Sequence, residues 1–292
     1  MSNLPKNDGL GDRMKSSYEN RTRYLLPRRT YTILRVDGRA FHTFTRGLTK
    51  PYDIDFMSCM DAAAIALCKE VAGARFAFVQ SDEISLLATD FEDEGSQAWF
   101  DGNIQKWVSI ASGIATAAFN SKLVDIASTV SPLINLPITK KQPTAVFDAR
   151  VFTIPDPIEV ENYFIWRQQD AERNSVTLLA SNYASHKELH GKGVSDRHEI
   201  IHAAGDNWAQ HPVRFKHGGI IRRTVSVDLL KVEQDKLDII VKKKLSERAA
   251  AKLLASDSTA RTRWELDEHT PVFTKDREYL RNMIPSIERK QG

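Results

Sequence analysis

Acidic residues stand at two points where an apolar strand pattern ends. Asp37 closes the β-branched and aromatic run Tyr31–Val36 and is followed by Gly38, and Asp82 and Glu83 separate two later apolar runs. Two carboxylates can bridge a pair of Mg²⁺ ions about 4 Å apart in phosphoryl transfer, and Mg²⁺ takes its other ligands from water and substrate phosphates. Each motif alone is also typical of a simple turn or hairpin tip.

Further residues near these carboxylates have the chemistry of a phosphate site. Gly38 lacks a Cβ, so its backbone can approach a ligand closely and its carbonyl is a candidate metal ligand. Lys50 and Lys106 are candidates for neutralising a triphosphate, although an ordinary solvated lysine is the alternative for each. His42 is a candidate contact for a triphosphate or a base, and a structural histidine is the alternative.

The elements predicted around these residues alternate in a recognisable order. The pattern predicts strand, helix, strand, strand, helix and strand over Tyr31–Val36, Asp53–Val71, Phe76–Val79, Ile84–Thr89, Trp99–Asn120 and Ala145–Ile154. This is the split βαβ order of a ferredoxin-like α+β sheet backed by two helices. In such a sheet the first strand and the hairpin are central neighbours, so Asp37 and Asp82 are expected to face each other.

Composition places the chain among ordinary globular proteins. The 292 residues are 41% hydrophobic and 27% charged, with a formal net charge of +3. No apolar segment is long enough for a membrane span, no secretory signal is visible, and the two cysteines favour a reducing, cytoplasmic compartment. Basic runs, which are solvated helix faces or nucleic-acid contacts, occur at Arg28–Arg29, Lys140–Lys141, Arg222–Arg223 and Lys242–Lys244.

A rival motif occurs in the second half of the chain. His198, Glu199 and His202 form a literal H-E-x-x-H, which on a helix presents two zinc ligands and a general base, as in metallopeptidases. The extended pattern requires a third histidine where this chain has Trp208. Short motifs of this kind arise by chance, so an amphipathic helix with surface histidines is the preferred interpretation.

Several longer segments, taken together and in order, resemble the tRNA-His guanylyltransferase superfamily. The segments are Arg35–Pro51, Phe78–Leu87, Trp99–Ser112, Phe147–Phe152 and Asn162–Ser175. Three later segments look most like the bacterial, archaeal and phage guanylyltransferase-like branch, and they are Ser185–Gly193, Phe215–Arg223 and Asp267–Leu280. The likeness covers nearly the whole chain, and several motifs in order are far more specific than any one of them.

The resemblance implies a polymerase-type palm and assigns roles to individual residues. It implies that Asp37 and Asp82 hold two Mg²⁺ ions through their carboxylates and that the Gly38 carbonyl adds a ligand. Glu83 matches an acidic position needed for activity. The remaining implied nucleotide-binding residues are Arg39, Ala40, Phe41 and His42 in a loop that wraps the triphosphate, Ser81 beside it, and Lys50 and Lys106 as phosphate-neutralising lysines.

The implied reaction is nucleotide addition to the 5′ end of tRNA in the 3′-to-5′ direction, with ATP, GTP and other nucleoside triphosphates as substrates. Where eukaryotic members carry His-Ile-Asn-Asn-Leu-Tyr-Asn, this chain has Glu172–Leu178 and keeps only the first Asn. The departure favours templated repair of 5′-truncated tRNA over non-templated guanosine addition to tRNA-His. A non-catalytic tRNA-binding protein is a further alternative, against which the clustered carboxylates argue.

The resemblance also bears on organisation. We expect a catalytic palm-like domain over residues 1–155, a mostly helical region over 156–285 that contributes to tRNA binding and oligomerisation, and a polar tail over 286–292. Members of the superfamily are generally oligomeric, so a homotetramer is expected, with no membrane partner.

Overall fold

A computed structural model describes residues 9–130, 144–226 and 261–286. The chain divides into two compact units, Met1–Ile221 with Leu266–Gly292 and Arg222–Glu265. All the carboxylates considered below belong to the first unit. Two of the basic runs, 140–141 and 242–244, and most of the polar tail lie outside the described residues.

One six-stranded sheet carries the candidate site. Its strands are β1 Tyr31–Gly38, β2 Ala74–Gln80, β3 Glu83–Thr89, β4 Phe147–Ile154, β5 Gly219–Ser226 and β6 Arg261–Asp267. The spatial order is β4-β1-β3-β2-β5-β6, and β1 is antiparallel to both β3 and β4. The first four strands therefore have the predicted split βαβ order, with β1 and the β2–β3 hairpin adjacent at the centre.

The two long helices predicted in the first half of the chain are present, but the second runs over Ile104–Val130 and not over Trp99–Asn120, and the helices at Gly9–Ser17 and Phe41–Phe44 were not predicted. The described helices are α1 Gly9–Ser17, α2 Phe41–Phe44, α3 Ile54–Glu70, α4 Ile104–Val130, α5 Pro157–Ala180, α6 His186–Leu189, α7 Val194–Ala203, α8 Val213–His217 and α9 Arg277–Arg281. Helix α3 begins where Asp53 accepts a hydrogen bond from the Phe56 N–H, at 2.9 Å, as an N-cap. Among the described residues, no helix has both the length and the apolar character of a membrane span.

Helices cover both faces of the central strands. Helices α3 and α4 pack on each other and on one face, and α5 packs on the other. Tyr31 and Ile33 belong to the core cluster that contains Phe164 of α5. Because side chains alternate along a strand, Arg35 and Asp37 lie on this same α5 face. The sequence thus determines which layer the candidate site faces.

The C-terminal region adds features that the sequence pattern did not predict. Strands β5 and β6 extend the sheet beyond β2, next to the helices expected there.

Both cysteines, Cys59 and Cys68, are free and buried in α3, as small apolar side chains often are. The proposed boundary at residue 155 stays a prediction.

Candidate active site

The fold brings Asp37 and Asp82 to the same end of the sheet. Asp37, near the end of β1, is the register partner of Glu83, the first residue of β3. The Gly38 N–H donates a hydrogen bond to the backbone oxygen of Asp82 at 3.0 Å, so the two loops are joined directly. The juxtaposition expected from strand order is therefore present, with Asp82 in the two-residue turn of the hairpin.

Neither the Asp37 nor the Asp82 carboxylate has an ion-pair partner among the described residues. Burial raises the pKa of Asp82, the Asp37 charge raises it further, and a hydrogen bond from Ser81 acts in the opposite direction. Among the described residues, the arginine ion pairs at this end of the central strands go to Glu83 and to Asp148, the β4 register partner of Asp37. Two unpaired carboxylates beside a backbone that can approach closely form an oxygen donor set that suits Mg²⁺.

The turn that carries Asp82 has a strained backbone. Ser81 has φ of 45°, a left-handed conformation for which a two-residue hairpin turn prefers glycine. Non-glycine residues in this region cost on the order of 1–3 kcal/mol and persist where the surroundings determine them. Such strain is frequent at functional sites, and here it occurs at the residue that directly precedes Asp82.

The loop after Asp37 is anchored by one aromatic side chain. Phe41 is buried, and the residues before it, Arg39 and Ala40, are exposed, as is His42. Ala40 has φ of 56° at the N-cap of α2. The Phe41 ring lies 5.0–5.9 Å from four other rings, which are Phe44, Phe56, Phe119 and Phe147. Because the Phe41 ring is held among these four rings, the loop presents its exposed backbone and side chains in a fixed position.

A cleft adjoins the hairpin turn. Its lining includes Gln80 and Ser81 of the hairpin, Pro51, and Asn174 of α5. The side-chain Oε1 of Gln80 is buried without a hydrogen-bond partner in the described structure, which marks a place where a ligand can donate. Lys50 immediately precedes Pro51 and is exposed, so it lies one residue from this cleft.

Lys106 lies away from the two aspartates. It is near the start of α4, whereas Thr116 of the same helix accepts a hydrogen bond at 3.2 Å from the N–H of Phe147, the register partner of Gly38. Ten residues of helix span about 15 Å, so Lys106 is far along α4 from this end. Its ammonium stacks over Phe100 at 5.5 Å. Its role in phosphate binding stays a prediction.

Glu83 is held by two arginines that the sequence reading did not single out. Arg167 of α5 donates from Nε to Oε1 at 2.7 Å and from Nη2 to Oε2 at 2.8 Å, and Arg35 of β1 forms a further ion pair. Burial raises the pKa of Glu83, while both arginines favour its charged form. Two features of the sequence could have pointed to these arginines. Arg35 is a charged residue inside the otherwise apolar strand, and Arg167 lies inside the segment Trp166–Gln168.

The altered stretch of α5 makes contacts of its own. Glu172 lies 2.9 Å from His217 Nδ1, and Ser175 Oγ accepts a hydrogen bond from Trp208 Nε1 at 2.9 Å. Asn174, which is the residue shared with the eukaryotic pattern, lines the cleft beside Ser81. Part of the altered stretch therefore lies at the wall of the cleft that adjoins the hairpin turn.

The histidines of the H-E-x-x-H motif occupy α7. The His198 ring packs edge-on against Trp208 at 5.6 Å, so the position of the missing third ligand is filled by a ring contact. Among the described residues, no group of three or more His, Cys, Asp or Glu side chains is arranged to hold a metal ion. The helical surface interpretation is retained, and nothing supports a zinc peptidase.

The chain is similar to proteins of one family, both in sequence and in structure. The family model described as tRNAHis guanylyltransferase matches residues 11–155. A bacterial tRNA(His) guanylyltransferase-like protein solved with ATP is 33% identical, with a TM-score of 0.74, over 94% of this chain and 99% of that one.

Two further proteins agree with this result. A bacterial tRNA(His) guanylyltransferase-like protein solved in complex with GTP is 32% identical, with a TM-score of 0.71, over 95% of this chain and 99% of that one. The tRNA(His) guanylyltransferase of Schizosaccharomyces pombe is 29% identical over 75% of this chain and 83% of its own length. The chain belongs to the tRNA(His) guanylyltransferase family of nucleotidyltransferases.

Proposed function

We propose that the protein adds nucleotides in the 3′-to-5′ direction to the 5′ end of tRNA, under the direction of a template base, and so repairs 5′-truncated tRNAs. The observation that carries this proposal is the pair Asp37 and Asp82, joined through the Gly38 N–H and left without cationic partners among the described residues. A binding surface for RNA gains nothing from unpaired acid, whereas nucleotidyl transfer requires it for metal binding.

Two Mg²⁺ ions are the metals that these residues fit. Asp37 and Asp82 would hold them through carboxylate oxygens, with the Gly38 carbonyl as a further ligand. When bound, the ions supply charge stabilisation and a more acidic nucleophile hydroxyl. The chemistry of the donor set supports this assignment, since it consists only of hard oxygen atoms.

The chain's own residues would bind and orient the nucleotide. The segment Arg39–His42 offers a guanidinium, backbone N–H groups and an imidazole to a triphosphate. The buried Phe41 side chain anchors this segment in the aromatic cluster. Lys50 approaches from the loop before α3. The cleft beside Ser81, with the unpartnered Gln80 oxygen, provides a hydrogen-bonding place for the rest of the nucleotide. ATP and GTP in the related bacterial structures support nucleotides as ligands.

The reaction would proceed in two successive phosphoryl-transfer steps. An oxygen of the tRNA 5′-monophosphate attacks the α-phosphorus of ATP and pyrophosphate leaves, which gives an adenylylated 5′ end. The 3′-hydroxyl of the incoming nucleoside triphosphate then attacks the 5′-phosphorus of the tRNA. A new P–O bond forms, AMP leaves and the hydroxyl proton passes to solvent. A 5′-triphosphate end would omit the first transfer and lose pyrophosphate in the second.

The altered stretch of α5 supports template direction over fixed guanosine addition. Glu172 and Ser175 are engaged with His217 and Trp208. Asn174, the one residue kept from the eukaryotic pattern, lines the cleft together with the altered residues Ser175 and Leu178. We therefore expect base pairing with the opposite tRNA strand, and not a protein motif, to choose the incoming nucleotide.

One assay tests the proposal. A tRNA that lacks its 5′ nucleotide is incubated with ATP, Mg²⁺ and each labelled nucleoside triphosphate, with the opposing base varied in turn. The expected result is 5′ extension by the nucleotide complementary to each opposing base. Guanosine addition whatever the opposing base, or addition confined to full-length tRNA-His, would favour non-templated guanylylation. RNA binding without any extension would favour a binding protein.

The assembly and location remain part of the proposal. A homotetramer in the cytoplasm, with residues 156–285 contributing to tRNA binding and to the subunit contacts, accords with the oligomeric character expected of the superfamily. Light scattering of the purified protein, with a mass near four times 33.0 kDa as the expected value, tests the assembly.

A further inference from the structure

Glu83 differs from its acidic neighbours in how its oxygens are used. The residue is 6% exposed, and its carboxylate receives a two-pronged hydrogen-bonded contact from Arg167, an ion pair from Arg35 and a 3.3 Å hydrogen bond from Ser85 Oγ. Fork-to-fork pairs between guanidinium and carboxylate use both oxygens in a fixed plane. Glu83 therefore has no oxygen left for a metal ion unless an arginine contact breaks.

Arg167 is itself held rigidly. It is 2% exposed, its guanidinium lies over the Trp166 ring at 4.4 Å, and its Nη2 also donates to Asp170 at 2.9 Å. Asp170 is in turn held by Arg173 at 3.1 Å. A ring below and carboxylates on two sides leave the guanidinium no freedom to turn, so it forms a fixed point on α5.

Arg167 contacts Glu83, which lies directly beside both candidate metal ligands. Glu83 directly follows Asp82 in the chain and is the register partner of Asp37. The left-handed Ser81 lies one residue further back, so the turn needs an external restraint to keep its conformation. Among the described residues, Glu83 is the carboxylate of the hairpin end that is ion-paired to α5.

We propose that Arg167 is a positioning residue which, through Glu83, holds the hairpin turn so that Asp82 and Asp37 together form the metal site. Glu83 serves as the connection and not as a ligand, and Arg35 holds it from the β1 side. This inference rests on the proposed two-metal function and names the residue outside the reacting groups on which the site depends.

The test measures metal binding separately from activity. Mn²⁺ is titrated into the full chain and free Mn²⁺ is counted by its paramagnetic resonance signal. Arg167→Lys keeps the charge but loses the fork, and supporting residues of this kind typically contribute 10- to 100-fold to metal affinity. We expect Mn²⁺ binding to weaken by about that factor while the far-ultraviolet circular dichroism spectrum is unchanged.

A second variant guards against simple unfolding. Glu83→Gln with Arg167→Met removes the two charges of the Glu83–Arg167 pair together, which buried ion pairs tolerate far better than the loss of one partner. Arg35, which also pairs with Glu83, has a side chain that is 20% exposed and so keeps contact with solvent. It is expected to fold, and to bind Mn²⁺ as weakly as Arg167→Lys.

The chain offers a matched control on the same helix. Glu161 is 2% exposed and is ion-paired to two arginines, Arg277 at 3.2 Å and Arg281 at 2.7 Å, which belong to α9 and not to the hairpin. Glu161→Gln is expected to lower the melting temperature and leave Mn²⁺ affinity within twofold of the unchanged protein. A structural role alone for Arg167 would make its variants behave like this control.

The outcomes separate the two proposals. Asp82→Ala is titrated in parallel. If it loses Mn²⁺ binding while Arg167→Lys and the double variant bind as the unchanged protein does, the positioning role is overturned and the metal site stands. If Asp82→Ala binds Mn²⁺ with unchanged affinity, the metal site itself is overturned.

Discussion

Adding a single methyl group at Gly38 should disable the site. A Cβ built on Gly38 would lie 2.4 Å from Cδ2, 2.5 Å from Cγ and 2.7 Å from Cε2 of the Phe41 ring. Attractive carbon–carbon contact begins near 3.5 Å, so the ring or the strand would have to move by about 1 Å. Because four other rings surround Phe41, the displacement falls on the loop that follows Asp37.

The expected size of the effect follows from this displacement. Overpacking of this kind costs about 1–3 kcal/mol of folding stability, and a 1 Å misplacement of reacting groups costs about 100-fold in rate. For Gly38→Ala we therefore expect a folded protein with a lower melting temperature and about 100-fold lower kcat/KM in 5′ nucleotide addition. The assays are differential scanning calorimetry and single-nucleotide extension of a truncated tRNA.

Two further variants make this prediction sharp. Gly113 lies exposed in α4 with nothing within 4 Å of an added Cβ, so Gly113→Ala should leave activity unchanged and raise stability by up to about 1 kcal/mol. Combining Gly38→Ala with Phe41→Leu removes the clashing ring and should recover part of the lost rate. A Gly38→Ala protein that melts and reacts like the unchanged one would refute the close packing of this loop.

The remaining predictions concern charge, thiols and the histidine motif. Because burial and the Asp37 charge raise the folded-state pKa of Asp82 above its unfolded value of about 3.9, its ionised form destabilises the fold as pH rises through the folded pKa. Asp82→Asn should thus melt higher than the unchanged protein at pH 7.5 without divalent ions, and this difference should vanish below pH 4; an equal gap at both pH values would contradict it. Burial raises the pKa of Cys59 to about 11 and that of Cys68 further, so neither thiol should react with a disulfide reagent at pH 8 until the protein unfolds, and rapid labelling of the native protein would show that α3 opens. His198→Ala with His202→Ala should keep nucleotide addition within a few-fold, and stoichiometric zinc lost with this change would revive the peptidase alternative.

The strand order and the pairing of the acidic residues were predictable from sequence because they rest on local patterns. Alternating strands, two long helices and an acidic hairpin lead directly to a sheet in which Asp37 and Asp82 meet. The aromatic anchor at Phe41 depends on rings from α2, α3, α4 and β4, which no local pattern brings together.

Other features depended on long-range contacts. The ion pair of Glu83 with Arg167 joins residues 84 positions apart, and only the docking of α5 on the sheet creates it. Strands β5 and β6 pair beyond β2, and a charged, interrupted segment gives little strand signal. Lys106 was named as a candidate phosphate contact from its chemistry and from the resemblance; it lies ten residues along α4 from Thr116, and its role in phosphate binding stays a prediction.

The most direct test of the account is the dependence of 5′ nucleotide addition on the two aspartates. Asp37→Ala and Asp82→Ala are compared with Glu70→Ala, which changes an exposed carboxylate at the end of α3. Metal-held charge stabilisation contributes several kcal/mol, so we expect about a 1,000-fold or greater loss in extension of truncated tRNA for each aspartate variant and none for Glu70→Ala. A folded Asp82→Ala protein with near-full activity would contradict the account.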